Sequence, residues 1–244
     1  MATPGQSSGT YLFDPANAQL VMEAFDRCDL PFPANDRHKL ISARMSLNLE
    51  LQSWSNRGVA LWEIISGTIN LAAPVGNVGQ ATYTLPATLI MLTEMYFTTV
   101  NGNGTGLNYD RWMDPITRTQ YAQLPNKLQA GQPSQYWYQR LLAPQVSIYQ
   151  TAFAGAPNYL LSWFGLQQIQ DAGIASGETP NIPYRAFDAL AAGLARRFAE
   201  KWAPARLAEK TALAAEAWDA FTANDDEPGP LLLQPNVAGY AKMM

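Results

Sequence analysis

The sequence has almost none of the side chains that carry redox, thiol or metal chemistry: one cysteine and one histidine in 244 residues. A lone Cys28 excludes an internal disulfide, and one Cys with one His cannot assemble a four-ligand zinc site or a supported histidine triad. Cys28 falls among Leu20, Val21, Ala24 and Phe25 on one apparent helix, the setting of a small core residue, which leaves the redox compartment open. His38, in NDRHKL near a helix start, reads as a solvated position. Charge is scarce as well. Asp, Glu, Lys and Arg make up 15% of the chain, against about 25% in an average globular protein, with a formal net charge of −4. The 16 Lys and Arg are scattered, so no basic footprint for gripping nucleic acid is present. Long apolar runs are missing, and the first residues lack a basic start followed by an apolar stretch. Neither a membrane span nor export is expected.

Carboxylates remain, and a pair of them suffices for glycoside hydrolysis. The conspicuous run, Asp225 to Glu227, sits in a linker-like stretch and reads as solvated charge. Asp110 and Asp114 flank RWM without the Gly-bearing spacing of a calcium loop, and NGNGTG (101–106) lacks the Gly-Lys-Ser/Thr ending of a phosphate cradle. The expectation is a protein without catalytic residues, metal or cofactor.

What the chain does have is 48% hydrophobic residues, enough to bury a large core, arranged in a clear order. Residues 1–14 read as an arm rich in Gly, Ser, Thr and Pro, ending in TYLFDP. Asp14 and Pro15 predict a helix start, with Asp as N-cap and Pro at the first helical position, running to about Cys28. Asn35 or Asp36 is placed to cap a second helix up to Arg57-Gly58, with Leu40, Leu47, Leu51 and Trp54 on one face. Ile41, Met45 and Leu49 add a second stripe, which predicts burial of more than one face. Within 59–178 the period changes to that of strands, broken by Pro and Gly turns, with one helical turn in DPITRTQYAQLP. Helical spacing returns from 179 to 224. Pro183 opens a helix marked by Phe187, Leu190, Ala191, Leu194, Phe198 and Trp202, and Pro204 opens another striped by Leu207, Ala214, Trp218 and Phe221. Residues 225–244 read as an extended tail whose Leu231, Leu232 and Leu233 are costly to leave in water, about 1.5–3 kcal/mol each when burial is complete.

The fold class expected is therefore α+β: a helical domain built from residues 15–58 and 179–224, an antiparallel β-sandwich-like insertion, an N-terminal arm and a C-terminal tail. The densest recognition-type patch is KLQAGQPSQYWYQR (127–140). Strand alternation puts Tyr136 and Tyr138 on one face and Trp137 on the other, so the three rings cannot form one flat sugar-stacking platform. The pair of tyrosines reads as sandwich core.

SARMSLNLELQSWSNRGVALWEI (42–64) resembles the helix-end signature of head-to-tail adaptors, or connectors, of tailed and especially short-tailed bacteriophages: Arg-x-x-Leu-Asn-x-x-Leu-x-x-Trp-x-x-x-Gly leading into a first strand. TYTLPA (82–87) resembles the turn that follows. QYAQLPNKLQAGQP (120–133) is similar to the family's Tyr, Leu-Pro, Lys and Gly-x-Pro signature before a Tyr/Trp-rich strand, and IPYRAFDALAAGLARRFAEKW (182–202) to its Ile-Pro-led helix. The likeness spans roughly residues 11–236, four motifs in order. It implies a structural, non-enzymatic virion protein at the head–tail junction, assembled in the host cytoplasm. Such adaptors form a cyclic homo-oligomer, typically of about twelve copies, beneath the portal protein. The ring extends the DNA channel, helps retain packaged DNA and attaches tail tube, nozzle, fibre or spike proteins; DNA passes through without sequence-specific binding, and no membrane is involved. The resemblance implies portal docking by the tail, with Leu231, Leu232, Leu233, Pro235 and Tyr240 as the expected contacts, multiplied by the copies in the ring. Trp137 is the expected contact of the β domain with a neighbouring protein. The reading from another class is a carbohydrate-binding virion module that uses the aromatic strand.

Overall fold

Both ends of the chain form helices whose starts and stops are set by local hydrogen bonding. The computed structural model describes residues 13–57, 61–71, 79–100, 109–152, 158–173 and 177–223. Most of the expected arm, NGNGTG and the tail from 225 onward lie outside these.

Helix α1 (Asn17–Arg27) begins two residues later than Asp14-Pro15 predict. Tertiary contacts set the start: the Asn17 N–H donates to the Glu178 carbonyl (2.8 Å) and its side-chain amide to the Gly173 carbonyl (2.9 Å). Gln19 supplies the local cap, its Oε1 accepting from the Ala16 N–H at 2.9 Å. At the other end Asp29 adopts φ 57°, and Leu30 N–H reaches back to the Phe25 carbonyl. That left-handed closure usually takes Gly or Asn; here the aspartate is held by an ion pair with Arg206.

Helix α2 (Arg37–Arg57) is capped by Asp36, whose Oδ1 accepts from the Lys39 N–H at 3.1 Å. Its buried face carries Leu47, Leu51 and Trp54. The second stripe is not buried in this chain: Ile41, Met45 and Leu49 are 56%, 57% and 42% exposed. They lie on the side of α2 turned away from Leu47, Leu51 and Trp54, with Leu49 at its margin, where its carbonyl accepts from Arg197 of α4 at 3.2 Å.

The pattern after Gly58 becomes a β-sandwich. One sheet has the order β1 (Ile64–Leu71), β8 (Asn158–Gln167), β3 (Leu89–Val100), β4 (Tyr109–Trp112), every pair antiparallel. The other runs β2 (Thr82–Thr84), β7 (Gln145–Tyr149), β6 (Gln135–Gln139), β5 (Asp114–Pro115). The two-residue β5 pairs parallel with β6, and an isolated parallel bridge joins Ala130 to Thr151, two departures from the antiparallel expectation among the described residues. Between the sheets lie Met95, Phe97, Leu161 and Trp163 from the first, Tyr83, Tyr136, Val146 and Ile148 from the second. Gly67 is opposite Trp163, and a Cβ there would stand 2.4 Å from the indole; the close approach requires glycine. The predicted turn of helix is α3 (Arg118–Gln123), capped by Thr117 and Gln120 acting on each other's backbone N–H.

Helix α4 (Phe187–Trp202) follows a short 3₁₀ turn after Pro183, and α5 (Leu207–Thr222) another that starts at Pro204. Proline suits both places, since a first-turn N–H has no intrahelical acceptor. The α4 face of Phe187, Leu190, Leu194 and Phe198 is buried as expected, with Trp202 half-buried. It is the centre of a helical core to which α1, α2 and α5 all contribute. Of the stripe expected on α5 only Phe221 is fully buried; Leu207, Ala214 and Trp218 are half-covered. The chain is α+β, with two separate cores: helices from both ends share one, and the intervening strands form the other.

Candidate interaction surfaces

The aromatic strand β6 divides its rings as alternation requires. Tyr136 is 3% exposed, and burial, with some help from the Glu94 charge, pushes its phenol up from the ordinary tyrosine range. Tyr138 packs at the margin of the same core and its hydroxyl donates to the Leu89 and Ile90 carbonyls, both at 3.3 Å. Trp137 takes the other face and is half-buried because Tyr121 of α3 packs on it, ring centres 5.2 Å apart. Lys127 sits 5.7 Å from the Tyr121 ring centre and donates to the Ala122 and Leu124 carbonyls. The motif residues before the strand thus brace Trp137, and only part of its surface reaches solvent.

A more exposed apolar point is the connection from β6 to β7. Leu141 is 54% exposed and Leu142 fully so, beside the exposed Arg140. Nothing in sequence periodicity singles these out, because a hairpin tip has no period to break. The β4 edge adds exposed Tyr109 and Trp112. Asp110, considered above for calcium, is an exposed residue of this strand accepting from the Thr98 hydroxyl at 2.6 Å. Among the described residues no cluster of His, Cys, Asp or Glu is arranged to hold a metal ion, and no helix is long and apolar enough to cross a membrane.

The junction between the two cores combines apolar packing, with Leu166 of β8 and Ile169 buried in the helical core, and specific polar clamps. Asn48 on α2 clamps the segment leaving β8: its Oδ1 accepts from the Ala172 N–H (2.7 Å) and its Nδ2 donates to the Ala172 carbonyl (2.9 Å). Glu63, in the 3₁₀ turn Leu61–Glu63 that leads into β1, is 2% exposed and accepts from Gln167 (2.8 Å) and Asn181 (2.5 Å). Burial raises its pKa, against the two amide hydrogen bonds that favour the charged form. A cleft of about 650 Å³ beside the junction is lined largely by amides, including Asn48, Gln52, Asn56 and Gln167. Sequence reasoning missed Glu63; a glutamate just before a strand carries no signal of its own.

Within the helical domain Glu50 is buried against Arg197, with Arg196 at 3.5 Å. Gly193 makes room for it on α4. Lys201 donates to the Ser46 hydroxyl at 2.7 Å and Ser42 hydroxyl at 2.9 Å, a second polar tie between α4 and α2. Cys28 is buried in the same core with Sγ 3.2 Å from the Ala195 carbonyl, and burial pushes its thiol up. His38 is exposed. The portal-docking residues predicted on the tail, Leu231, Leu232, Leu233, Pro235 and Tyr240, lie outside the described residues.

Two connected clefts run along the other side of the helical domain. The first, about 610 Å³, lies where α1 meets α4 and is lined in part by Phe13, Met22 and Phe187. The second, about 400 Å³, lies between α4 and α5 over Ala192, Ala195, Leu213 and Ala217. They meet at Arg27, which donates to Glu23 (2.8 Å) and Asp188 (2.7 Å). Neither a protein-family model nor a curated protein matches the chain.

Proposed function

We propose that the chain is a structural head-to-tail connector of a tailed, short-tailed-type phage: a ring beneath the portal protein that extends the DNA channel, helps retain packaged DNA and attaches tail components. The observation that carries this reading is the division of labour in the fold. Helices from both ends of the chain build one domain and leave an apolar stripe and an alanine-floored, acid-rimmed cleft uncovered among the described residues, while the strands form a sandwich with its own core and exposed apolar tip. A ring subunit needs such an arrangement, one part to meet its neighbours and another to meet a different protein. The resemblance of four sequence motifs to the adaptor family supports the same reading. The α2 motif supplies buried Leu47, Leu51 and Trp54 and the Asn48 clamp, and the Gln120–Pro133 motif supplies the brace under Trp137. In this proposal about twelve copies close the ring, the tail docks on the portal, and the β domain faces tail tube, nozzle, fibre or spike proteins.

Electron microscopy of the chain mixed with assembled portal is expected to show an added ring on the portal's outer end. A chain that binds glycans and ignores the portal overturns the proposal in favour of the carbohydrate-binding reading. The burial of Tyr136 and the anchoring of Tyr138 weigh against that alternative.

A further inference from the structure

We infer that neighbouring copies join head to tail, with the exposed α2 stripe of one seated in the cleft between α1, α4 and α5 of the next. The inference rests on the ring reading only for closure of the assembly; the pairing of the two faces stands on their own chemistry.

Ile41, Met45 and Leu49 recur every fourth residue, so they form one straight ridge along α2, spanning about 12 Å at the helical rise. It faces away from the side that carries Leu47, Leu51 and Trp54, and its Leu49 end borders the α4 contact. Such a ridge packs into a groove between helices, where small residues let the two backbones approach. The cleft on the α1, α4 and α5 side provides one, floored by Ala191, Ala192, Ala195 and Ala217 and walled by the exposed Met22 and Leu213.

Charge selects the pairing. The exposed ionised residues on α2 are Arg37, Lys39, Arg44 and, at its C-terminal end, Arg57; its one glutamate, Glu50, is buried. Two acids stand beside α2: Asp36, which caps the helix, and Asp171, 3.9 Å from Arg44. The cleft has the other sign. Asp14, Glu23, Asp26, Asp188 and Glu216 contribute five carboxylates against two cations, Arg27 and Lys210, and both cations are already held by Glu23, Asp188 and Glu209. A second copy's α2 is therefore complementary to the cleft in shape and in charge. Stripe against stripe brings like charges together, and cleft against cleft leaves nothing to fill either. Complementary faces on different parts of one chain make a heterologous contact, the kind that generates rings or filaments.

The full chain is expected to sediment faster as its concentration rises. Met45→Asp removes the stripe and Leu213→Asp the cleft; both positions are exposed, and unchanged circular dichroism checks that each variant folds. Each alone is expected to lose self-association. Mixed in equal amounts, they regain one intact contact and form a one-to-one pair that grows no further. Met45→Ala and Leu213→Ala serve as gentler versions if either aspartate variant fails to fold. A full chain that stays monomeric at every concentration, a variant that still associates, or a mixture that does not pair overturns the inference. So does association that survives Met45→Asp but is lost on removing residues 224–244, which puts the tail in the cleft. An assembly that obeys the pairing test yet ignores portal upholds this contact and sinks the connector reading; chains that attach to portal without contacting each other do the reverse.

Discussion

Tyr136 and Glu63 show how single residues in this chain trade exposure for order. Tyr136 fills the space between the sheets, so Tyr136→Ala is expected to lower stability by about 3 kcal/mol, the low end of the range for removing a buried aromatic ring. Urea unfolding measures it, and a fully stable variant with only a binding defect would restore the ring to a recognition role. Glu63 gives a pH signature. In an unfolded chain it titrates near about 4.3, whereas burial raises it in the folded protein. The native state therefore holds the proton more tightly, and stability falls as pH rises through the unfolded value towards the folded one. Glu63→Gln cannot ionise. The stability of the parent relative to Glu63→Gln is expected to fall as pH rises above the unfolded value of about 4.3, and parallel curves would show that burial of this carboxylate has no penalty. Strand alternation placed the Tyr136 ring from sequence alone. Glu63 was illegible there, because its partners, Gln167 and Asn181, are more than a hundred positions away.

At the scale of elements, α2 against α4 joins α1 against α4 in binding the two ends of the chain together. Replacing a helix-interior glycine by alanine ordinarily stabilises by about 1 kcal/mol. Gly193→Ala is expected to destabilise instead, because its Cβ would stand 2.6 Å from Glu50 Oε1 and dislodge the carboxylate from Arg197. Glu50→Ala alone should cost about 1.5–3 kcal/mol, the range for a hydrogen bond to a charged group, and in that background Gly193→Ala should become stabilising. Thermal midpoints of the four proteins form the double-mutant cycle, and additive effects would refute the contact. Helix ends carry local signals, which is why Asp36, Pro183 and Pro204 marked their elements correctly. Asp14-Pro15 did not, since the Glu178 and Gly173 carbonyls outcompete that cap by holding Asn17.

For the whole molecule, the helical core among the described residues is built from α1, α2, α4 and α5, with Phe221 near the end of α5 as its last buried member. Deleting residues 229–244 is therefore expected to leave thermal unfolding unchanged while weakening attachment to portal in a co-sedimentation assay; unchanged attachment removes the tail from the docking scheme. The β sandwich has its own core, and Leu141 and Leu142 are exposed at its tip, so under the connector proposal changes there should alter contacts with tail proteins without disturbing association through α2.

The sequence by itself determined the elements and their order: helices, strands, then helices, with the apolar faces of α2 and α4 and the split of the β6 rings all following from periods of 3.6 and 2. It also revealed the stripe of Ile41, Met45 and Leu49, but not its state. Whether an apolar stripe is core or surface depends on what packs against it, and only the tertiary structure decided that α4 meets the opposite face of α2. The same holds for the acidic cleft, whose carboxylates come from α1 and the residues before it, α4 and α5. Periodicity reports the geometry of one segment, while a surface is made by several segments distant in the chain.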